Sequence, residues 1–200
     1  MSALAGLGIT DAVVEVEGPE LPILDGSSLL FAQAMRELVV DIDRPLEPLV
    51  LRRAIEVQDA SGGMIKAAPR ESPGFSLTYE LDYGAASPLP AQSATWSGDP
   101  DEYLQEVAPA RTFSMKAEAE AARAAGLFSK FSPQDMVVVG DDGAPVQNQW
   151  RVDREPARHK LLDLIGDLAL LGRPLQADVV ATKSGHRLVH EFCRAVLKSL

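Results

Sequence analysis

The sequence predicts an α+β fold in two subdomains. Antiparallel strand pairs are mixed with helices, and the regular βαβ alternation that indicates a parallel sheet is missing. Residues 41–48 hold two prolines and three acids in eight positions, which is typical of a linker. We therefore predict a first subdomain over residues 1–40, a linker over 41–48 and a second subdomain over 49–200.

The first predicted subdomain contains one strand and one helix. An apolar run covers residues 3–9. Residues 11–17 alternate around Val14 and Val16 and stop at Gly18-Pro19, as a short strand before a turn does. The turn residues 25–27 precede apolar residues at helical spacing from Leu29 to Leu38. We expect a strand over 11–17 and a helix over 29–38.

The second predicted subdomain begins with period-two alternation. The clearest strand covers residues 74–83, because Phe75, Leu77, Tyr79, Leu81 and Tyr83 share one face of it. A hairpin turn at 61–63 joins two further strand-like segments. The remaining expectations are strands over 49–57, 64–68, 135–139 and 178–182, and helices over 101–108, 115–125, 155–171 and 185–197.

Composition excludes several classes of protein. The 200 residues are 46% apolar and 24% charged, which excludes a disordered chain. The formal net charge of -10 argues against a nucleic-acid partner, because affinity for phosphate backbones needs clustered Lys and Arg. Residues 151–200 carry nine Lys/Arg and six Asp/Glu, a balance of +3, so residues 1–150 carry -13. We expect an anionic small ligand to bind near the last quarter of the chain.

The single cysteine and the lengths of the apolar runs indicate the compartment. Cys193 cannot form an internal disulfide, and its apolar neighbours predict a buried thiol rather than a nucleophile. Charged residues break the apolar runs well short of the roughly 20 residues that a membrane span needs. We expect a cytoplasmic monomer without a membrane span.

One predicted helix contains a histidine and two aspartates at a spacing that suits a metal site or a His-Asp pair. His159, Asp163 and Asp167 follow each other at intervals of four, so their side chains stack on one helix face among leucines. Polar groups in an apolar setting need partners, and a metal cation is one such partner. Taken alone, the spacing also fits a plain His-Asp pair without a metal.

Three further segments carry candidate residues, each with a simpler alternative. His186 follows a strand at Lys183-Ser184-Gly185, which suits either a general acid or an ordinary surface residue at a helix start. Thr112 lies in the loop Ala110-Arg111-Thr112-Phe113 and suits either an oxyanion donor or a turn at a helix end. The apolar residues 126–131 suit either a groove for an aliphatic group or a core-facing loop.

Read together, these segments resemble the zinc-dependent UDP-3-O-acyl-N-acetylglucosamine deacetylases of lipid A biosynthesis. The similar segments are, in order, SALAGLGITDAVVEVEGPELPILDGSS, GFSLTYELDY, ARTF, RHKLLDLIGDLALLG and KSGH. They cover nearly the whole chain in the order and spacing of that family. The resemblance implies two layered α+β subdomains that meet at the active site, with the first one incomplete in this sequence.

The resemblance also implies a role for each candidate residue. His159 and Asp163 are similar to two of the three protein ligands of a catalytic Zn²⁺. Asp167 is similar to the acid that orients the active histidine, His186 to that histidine and Thr112 to the oxyanion donor. The residues similar to substrate-contacting groups are Lys160, Lys183 and Phe113 and, in a segment at 115–131 that covers the acyl chain, Leu127, Phe128 and Phe131. The implied reaction hydrolyses an acetamide, releasing acetate from an acylated UDP-N-acetylglucosamine.

The sequence departs from the family pattern at its start and at three smaller places. In that family, a Glu-His pair before the run SALAGLGI supplies the general base and the third zinc ligand, whereas this sequence begins at Met1. We therefore expect either residues upstream of Met1 or a truncated, non-catalytic homologue that keeps UDP-glycolipid or partner binding. Residues 84–88, 114–115 and 154–157 also differ from the family pattern, which affects substrate detail. A structural α+β domain with a coincidental His-Asp helix is the third hypothesis.

Overall fold

A mixed β-sheet covered on one face by two long helices forms the centre of the protein. The computed structural model describes residues 1–44, 46–127, 132 and 136–200. Within these residues, the main sheet has six strands, and a separate parallel pair forms a second, small sheet. The combination of helices with mixed sheets confirms the predicted α+β fold class.

The helices and strands have the following bounds in the described part of the chain. The helices are α1 (Ser2–Gly6), α2 (Leu29–Arg36), α3 (Pro100–Glu102), α4 (Lys116–Ala124), α5 (Glu155–Leu168) and α6 (His186–Ser199). The strands are β1 (Leu49–Val50), β2 (Ile55–Gln58), β3 (Met64–Pro69), β4 (Ser76–Leu81), β5 (Gln92–Trp96), β6 (Phe113–Met115), β7 (Val137–Val139) and β8 (Leu175–Thr182). A π-helical turn at Tyr103–Val107 continues α3, and a 3₁₀ turn at Ala169–Leu171 continues α5.

Strand β8 occupies the middle of the main sheet, whose strand order is β2-β3-β8-β4-β5. It pairs antiparallel with β3 and parallel with β4, and its first residues also pair parallel with β1. Alternate residues of β8 are buried, beginning at Leu175 and ending at Ala181. This period of two places one face of the strand against the helices. The carboxyl end of β8 is therefore fixed from both sides before the chain enters α6.

Helices α5 and α6 cover that face of the sheet. Helix α5 packs on β4 and β5, and α6 packs on β2 and β3. Leu188, Phe192 and Val196 follow each other at intervals of four along α6 and are buried, as expected of the inner face of an amphipathic helix. Helix α5 also contacts α1, so its apolar residues are enclosed on several sides. Polar residues of α5 consequently need partners from neighbouring segments.

Tyr103 connects the first residues of the chain with the sheet layer. Its ring is fully buried and stands edge-on to Trp96, with 5.7 Å between the ring centroids. Its hydroxyl lies 2.7 Å from Ser28 Oγ and donates to Ser2 Oγ at 3.0 Å. Both serines are buried, so the phenol satisfies polar groups that water does not reach. One side chain thus joins α1, the start of α2 and the turn after α3.

Most sequence predictions of secondary structure are confirmed, and two are corrected. The predicted strand over residues 11–17 is wrong: these residues are exposed and form no ladder with any described segment, and a strand without a partner has unpaired backbone groups. The predicted strand over 49–57 is interrupted by a bend, so that β1 pairs with β8 and β2 pairs with β3. The division at residues 41–48 stays a prediction.

Two smaller expectations concern Cys193 and the membrane. Cys193 is buried, which confirms the prediction of a buried thiol, and this burial raises the pKa of the thiol to about 11. No helix among the described residues combines the length and the apolar character needed to cross a membrane.

We predict that the change Tyr103→Phe lowers the free energy of unfolding by about 1–3 kcal/mol, because it removes the hydrogen bonds that join the phenol to the buried Ser2 and Ser28 hydroxyls. Thermal or urea unfolding measures the loss. Tyr83→Phe is the matched control, because the Tyr83 ring is half exposed and its hydroxyl has no hydrogen bond among the described residues. We expect this control to change stability by less than about 0.5 kcal/mol. Equal effects of the two changes would contradict the role of the Tyr103 hydroxyl.

Candidate active site

A small cleft lies where β8 ends, α6 begins and α5 passes beside them. Its walls contain four of the residues predicted from the sequence, Lys160, Asp163, Asp167 and His186. The other residues lining it are Tyr79, Leu164, Ser184, Gly185 and Val189. The structure thus brings together side chains from α5 and from the segment Lys183-Ser184-Gly185-His186. His159 lies one helical turn before Asp163, beside this cleft.

His159 is held in one orientation by the loop that precedes β6. Its Nδ1 atom lies 3.1 Å from the carbonyl oxygen of Ala110. A carbonyl oxygen can only accept a hydrogen bond, so Nδ1 carries the proton and donates it, while Nε2 keeps its lone pair. Burial lowers the pKa of His159, which favours the neutral imidazole. A neutral imidazole with a free Nε2 is the form that binds metal ions.

Asp163 presents its two carboxylate oxygens to different partners. Oδ1 lies 3.7 Å from His159 Nε2, and Oδ2 accepts a hydrogen bond from Lys160 Nζ at 2.7 Å. Burial by itself would raise the pKa of Asp163, but His159 and Lys160 together lower it below the ordinary value. Asp163 is therefore ionised at neutral pH, one helical turn from a neutral histidine.

Asp167 and His186 form a second pair at the other end of the cleft. The distance between Asp167 Oδ2 and His186 Nδ1 is 2.7 Å. A hydrogen bond at Nδ1 orients the ring and leaves Nε2 for proton exchange with a substrate. The second oxygen of the carboxylate, Oδ1, lies 3.6 Å from Nε2 of His190, one turn further along α6. Asp167 thus stands between two imidazoles.

The segment between β8 and α6 is held in an unusual conformation. Lys183 adopts a positive φ of 51°, which is uncommon for a residue with a side chain. The Tyr79 hydroxyl fixes the next residue by donating to the Ser184 carbonyl at 2.6 Å, and burial raises the pKa of Tyr79 to about 12. The Lys183 ammonium lies 3.2 Å from Asp82. This turn places His186 as the first residue of α6.

Thr112 lies on the loop that contacts His159, and Phe113 follows it as the first residue of β6. The Phe113 ring stands edge-on to the His159 ring, with 6.4 Å between the ring centroids. The Thr112 backbone donates to Gly26 at 2.7 Å, and its carbonyl accepts from Val137 at 2.9 Å. Among the described residues, the Thr112 hydroxyl makes no hydrogen bond. The backbone of Thr112 is thus fixed beside His159, and its hydroxyl can donate to a ligand.

The apolar candidates are not assembled into a groove by the described residues. Leu127 is 58% exposed and lies shortly after α4. Phe128 and Phe131 lie outside the described residues. A role of residues 115–131 in covering an acyl chain stays a prediction.

Sequence reasoning missed a group of buried polar residues beside the site. Glu155 is 1% exposed and Arg111 is 6% exposed, and they form a salt bridge with 2.8 Å between Nε and Oε1. Glu155 lies four residues before His159, so the same helix face could have been extended one turn backwards to find it. The alternation of residues 74–83 gives only the strand face of Tyr79, and the contact of its hydroxyl with the Ser184 backbone leaves no signal in sequence. His190 also faces Asp167, and it stands apart from the spacing of four that marks the candidates on α5.

The donor set of His159 and Asp163 fits a zinc ion. Zinc in proteins takes imidazole nitrogen and carboxylate oxygen, and a catalytic site has three protein ligands. The neutral imidazole with its free Nε2 and the ionised carboxylate satisfy two of these positions. Within the described ranges, no group of three or more His, Cys, Asp or Glu side chains is arranged to hold a metal ion.

We predict that Ser184→Ala raises the free energy of unfolding by about 1 kcal/mol. The Ser184 side chain is buried in the cleft wall, and its Oγ has no hydrogen-bond partner among the described residues. A buried hydroxyl without a partner costs free energy, which alanine removes. Urea unfolding with an unchanged m-value measures the gain.

The matched control is Ser28→Ala, because Ser28 is equally buried but its hydroxyl lies 2.7 Å from that of Tyr103. We expect this control to lower stability by about 1 kcal/mol. A loss at Ser184 as large as that at Ser28 would mean that the Ser184 hydroxyl is hydrogen-bonded in solution.

Comparison with known proteins identifies the family. The chain is 34% identical over 201 residues to a protein of Leptospira biflexa serovar Patoc named UDP-3-O-acyl-N-acetylglucosamine deacetylase, and the match covers 100% of this chain and 65% of that protein. A protein of Citrifermentans bemidjiense with the same name is 35% identical over 199 residues, covering 99% of this chain and 64% of that protein. The chain thus spans about 65% of the length of these relatives. The sequence model of the LpxC family, described as UDP-3-O-acyl N-acetylglycosamine deacetylase, matches residues 1–198, and the chain therefore belongs to this family.

Proposed function

We propose that the protein is a zinc-dependent hydrolase that removes acetate from UDP-3-O-acyl-N-acetylglucosamine in lipid A biosynthesis. The observation that carries the proposal is the placement of the His159–Asp163 pair and the Asp167–His186 pair around one cleft. The first pair offers metal ligands and the second offers an oriented proton donor. Membership of the deacetylase family and the names of the relatives agree with this chemistry.

His159 and Asp163 are the residues that would hold the zinc ion. When bound, zinc supplies Lewis-acid chemistry, which activates water and polarises a carbonyl group. His159 would offer Nε2, because its Nδ1 is bonded to Ala110, and Asp163 would offer Oδ1, because Lys160 contacts Oδ2. The third ligand and the general base are not assigned to described residues in this proposal.

His186 is the proposed proton donor to the leaving amine. Its Nδ1 is hydrogen-bonded to Asp167, which keeps the ring in place and stabilises the imidazolium. The Thr112 hydroxyl would donate to the oxygen of the acetamide as negative charge develops on it. One such donor in an oxyanion site contributes about 10²–10³ in rate. In the proposed reaction, the oxygen of a water molecule bonds to the acetamide carbonyl carbon and this water loses a proton. The amide C–N bond then breaks, the nitrogen takes a proton from His186, and acetate leaves with the new oxygen.

Lys160 and Lys183 are the proposed contacts for the anionic parts of the substrate, and Phe113 offers an apolar contact beside them. Each ammonium pairs with a carboxylate in the described structure, Lys160 with Asp163 and Lys183 with Asp82. Backbone donation from Gly84, together with Lys183, lowers the pKa of Asp82, so this carboxylate is ionised at neutral pH. A cytoplasmic location and a monomeric state stay predictions.

We predict that the protein purified from its natural host with a tag at the end of its gene releases acetate from the acylated UDP-sugar. The change His186→Gln should lower kcat by about 10²–10⁴, because it removes the proton donor. Arg187→Gln is the matched control, because Arg187 is the next residue and its side chain is 81% exposed. Removing the metal with a chelator should abolish activity, and added Zn²⁺ should restore it.

Zinc-loaded protein that binds the UDP-sugar but releases no acetate would contradict the proposal. That result would favour the alternative, a non-catalytic homologue that keeps UDP-glycolipid or partner binding. Folded protein that binds neither zinc nor nucleotide would contradict both.

We predict that Lys183→Gln weakens binding of UDP about tenfold, as measured by titration calorimetry at several salt concentrations. A charge-assisted contact to the diphosphate contributes about 1.5–3 kcal/mol, and losing the partly exposed Lys183–Asp82 pair offsets part of this gain. The difference is close to the roughly 1.4 kcal/mol that corresponds to a factor of ten. Lys66→Gln is the control, because Lys66 lies on β3 and pairs with Glu56 on the sheet. An unchanged affinity of the Lys183 variant would remove this residue from the proposed contacts.

A further inference from the structure

A single peptide group lies between two side chains of α5. The carbonyl of Ala110 and the N–H of Arg111 belong to the same peptide bond. The carbonyl accepts from Nδ1 of His159 at 3.1 Å, and the N–H donates to Oε1 of Glu155 at 3.0 Å. Glu155 and His159 are four residues apart and therefore lie on the same face of the helix. Glu155 thus holds the N–H of this peptide group, and His159, one helical turn later on α5, holds its carbonyl.

Glu155 itself has little freedom to move. Its side chain is fully buried, and each of its two carboxylate oxygens accepts two hydrogen bonds. Oε1 accepts from the backbone N–H and the Nε of Arg111, and Oε2 accepts from Nη2 of Arg111 and the backbone N–H of Arg151 at 2.7 Å. The guanidinium is in turn bonded to the carbonyl of Gln149 at 2.6 Å. A buried carboxylate with four donors is held rigidly.

The arrangement has an electronic consequence for His159. Hydrogen bonds that follow each other through a peptide group polarise one another, and a buried charge strengthens this effect. The negative charge of Glu155 pulls on the Arg111 N–H, which makes the Ala110 carbonyl a stronger acceptor for the proton on Nδ1. A stronger acceptor at Nδ1 favours the tautomer with a free Nε2 and makes that nitrogen a better donor to a metal ion.

We propose that Glu155 is a positioning residue that acts on His159 through the Ala110–Arg111 peptide group, fixing the tautomer and orientation of this histidine. The part of this inference that concerns metal affinity rests on the proposed role of His159 as a zinc ligand. Thr112 follows Arg111 directly, so the same contact also fixes the backbone that carries the proposed oxyanion donor.

The test compares four forms of the protein. Glu155→Gln keeps an acceptor for the Arg111 N–H but removes the charge. Because this change leaves the buried guanidinium without its counter-ion, the double variant Glu155→Gln with Arg111→Met removes both charges together. Glu106→Gln is the matched control, because Glu106 also pairs with an arginine, Arg158, but its own side chain is about half exposed. Circular dichroism verifies that each variant is folded.

The first measurement is the tautomer of His159 in metal-free protein, observed by ¹⁵N NMR of the imidazole and assigned with His159→Gln. We expect the unchanged protein and the Glu106→Gln variant to show one tautomer with the proton on Nδ1. The Glu155 variants should show a mixture. A proton on Nε2 in the unchanged protein would overturn the proposal without any variant, which keeps the test valid if the variants fail to fold.

The second measurement is zinc affinity, determined by competition with a chromophoric chelator. We expect the Glu155→Gln variant and the double variant to bind Zn²⁺ about 10–100-fold more weakly, the effect typical of losing a group that orients a metal-binding histidine. A folded double variant with unchanged zinc affinity and an unchanged tautomer would overturn the proposal. Neither readout requires deacetylation, so loss of the proposed activity and loss of this inference are distinguishable.

Discussion

The need to satisfy polar groups on an enclosed helix organises this protein. Helix α5 contacts the sheet, α1 and α6, yet one run of its residues is polar, namely Glu155, His159, Asp163 and Asp167. Each of these side chains finds a partner from a different segment or from α5 itself: Arg111, the Ala110 carbonyl, Lys160 and His186 respectively. An unpaired polar group in this position would cost several kcal/mol, so the loops around α5 are specified by its requirements.

The central position of β8 serves the same end. Its neighbours on both sides fix where the strand stops, and the Tyr79 hydroxyl fixes the Ser184 carbonyl immediately afterwards. Lys183, whose backbone is in the left-handed region, then turns the chain so that α6 begins at His186. The backbone of His186 is therefore constrained by the turn before it and by the helix after it. His186 can therefore meet Asp167 at 2.7 Å although the side chain of this histidine is largely exposed.

The sequence predicted those parts of the site that lie within a single element. The spacing of His159, Asp163 and Asp167 is a property of one helix, and the alternation from Phe75 to Tyr83 is a property of one strand. The contact of Arg111 with Glu155 joins residues 44 apart, and sequence periodicity contains no signal for such a pair. The strand predicted over 11–17 failed for a related reason. Alternation describes the two faces of a single segment, whereas a strand also needs backbone hydrogen bonds to a second segment. Propensity therefore located the helices well, whereas contacts between distant segments required the structure.

The number of Lys and Arg residues near the cleft is a poor measure of how strongly the cleft attracts an anion. The last quarter of the chain has a surplus of three positive charges, but Lys160 and Lys183 are each paired with an aspartate. In the proposed function, an anionic substrate does not meet free ammonium groups; it exchanges with carboxylates that already occupy them. The net gain is then the difference between two ion pairs, which is smaller than the strength of either. Such an exchange keeps the side chains ordered before the substrate arrives, and it favours a ligand whose several contacts act together over a single phosphate group. In the proposed function, selectivity therefore depends on the arrangement of paired charges around the cleft more than on the total charge of the chain.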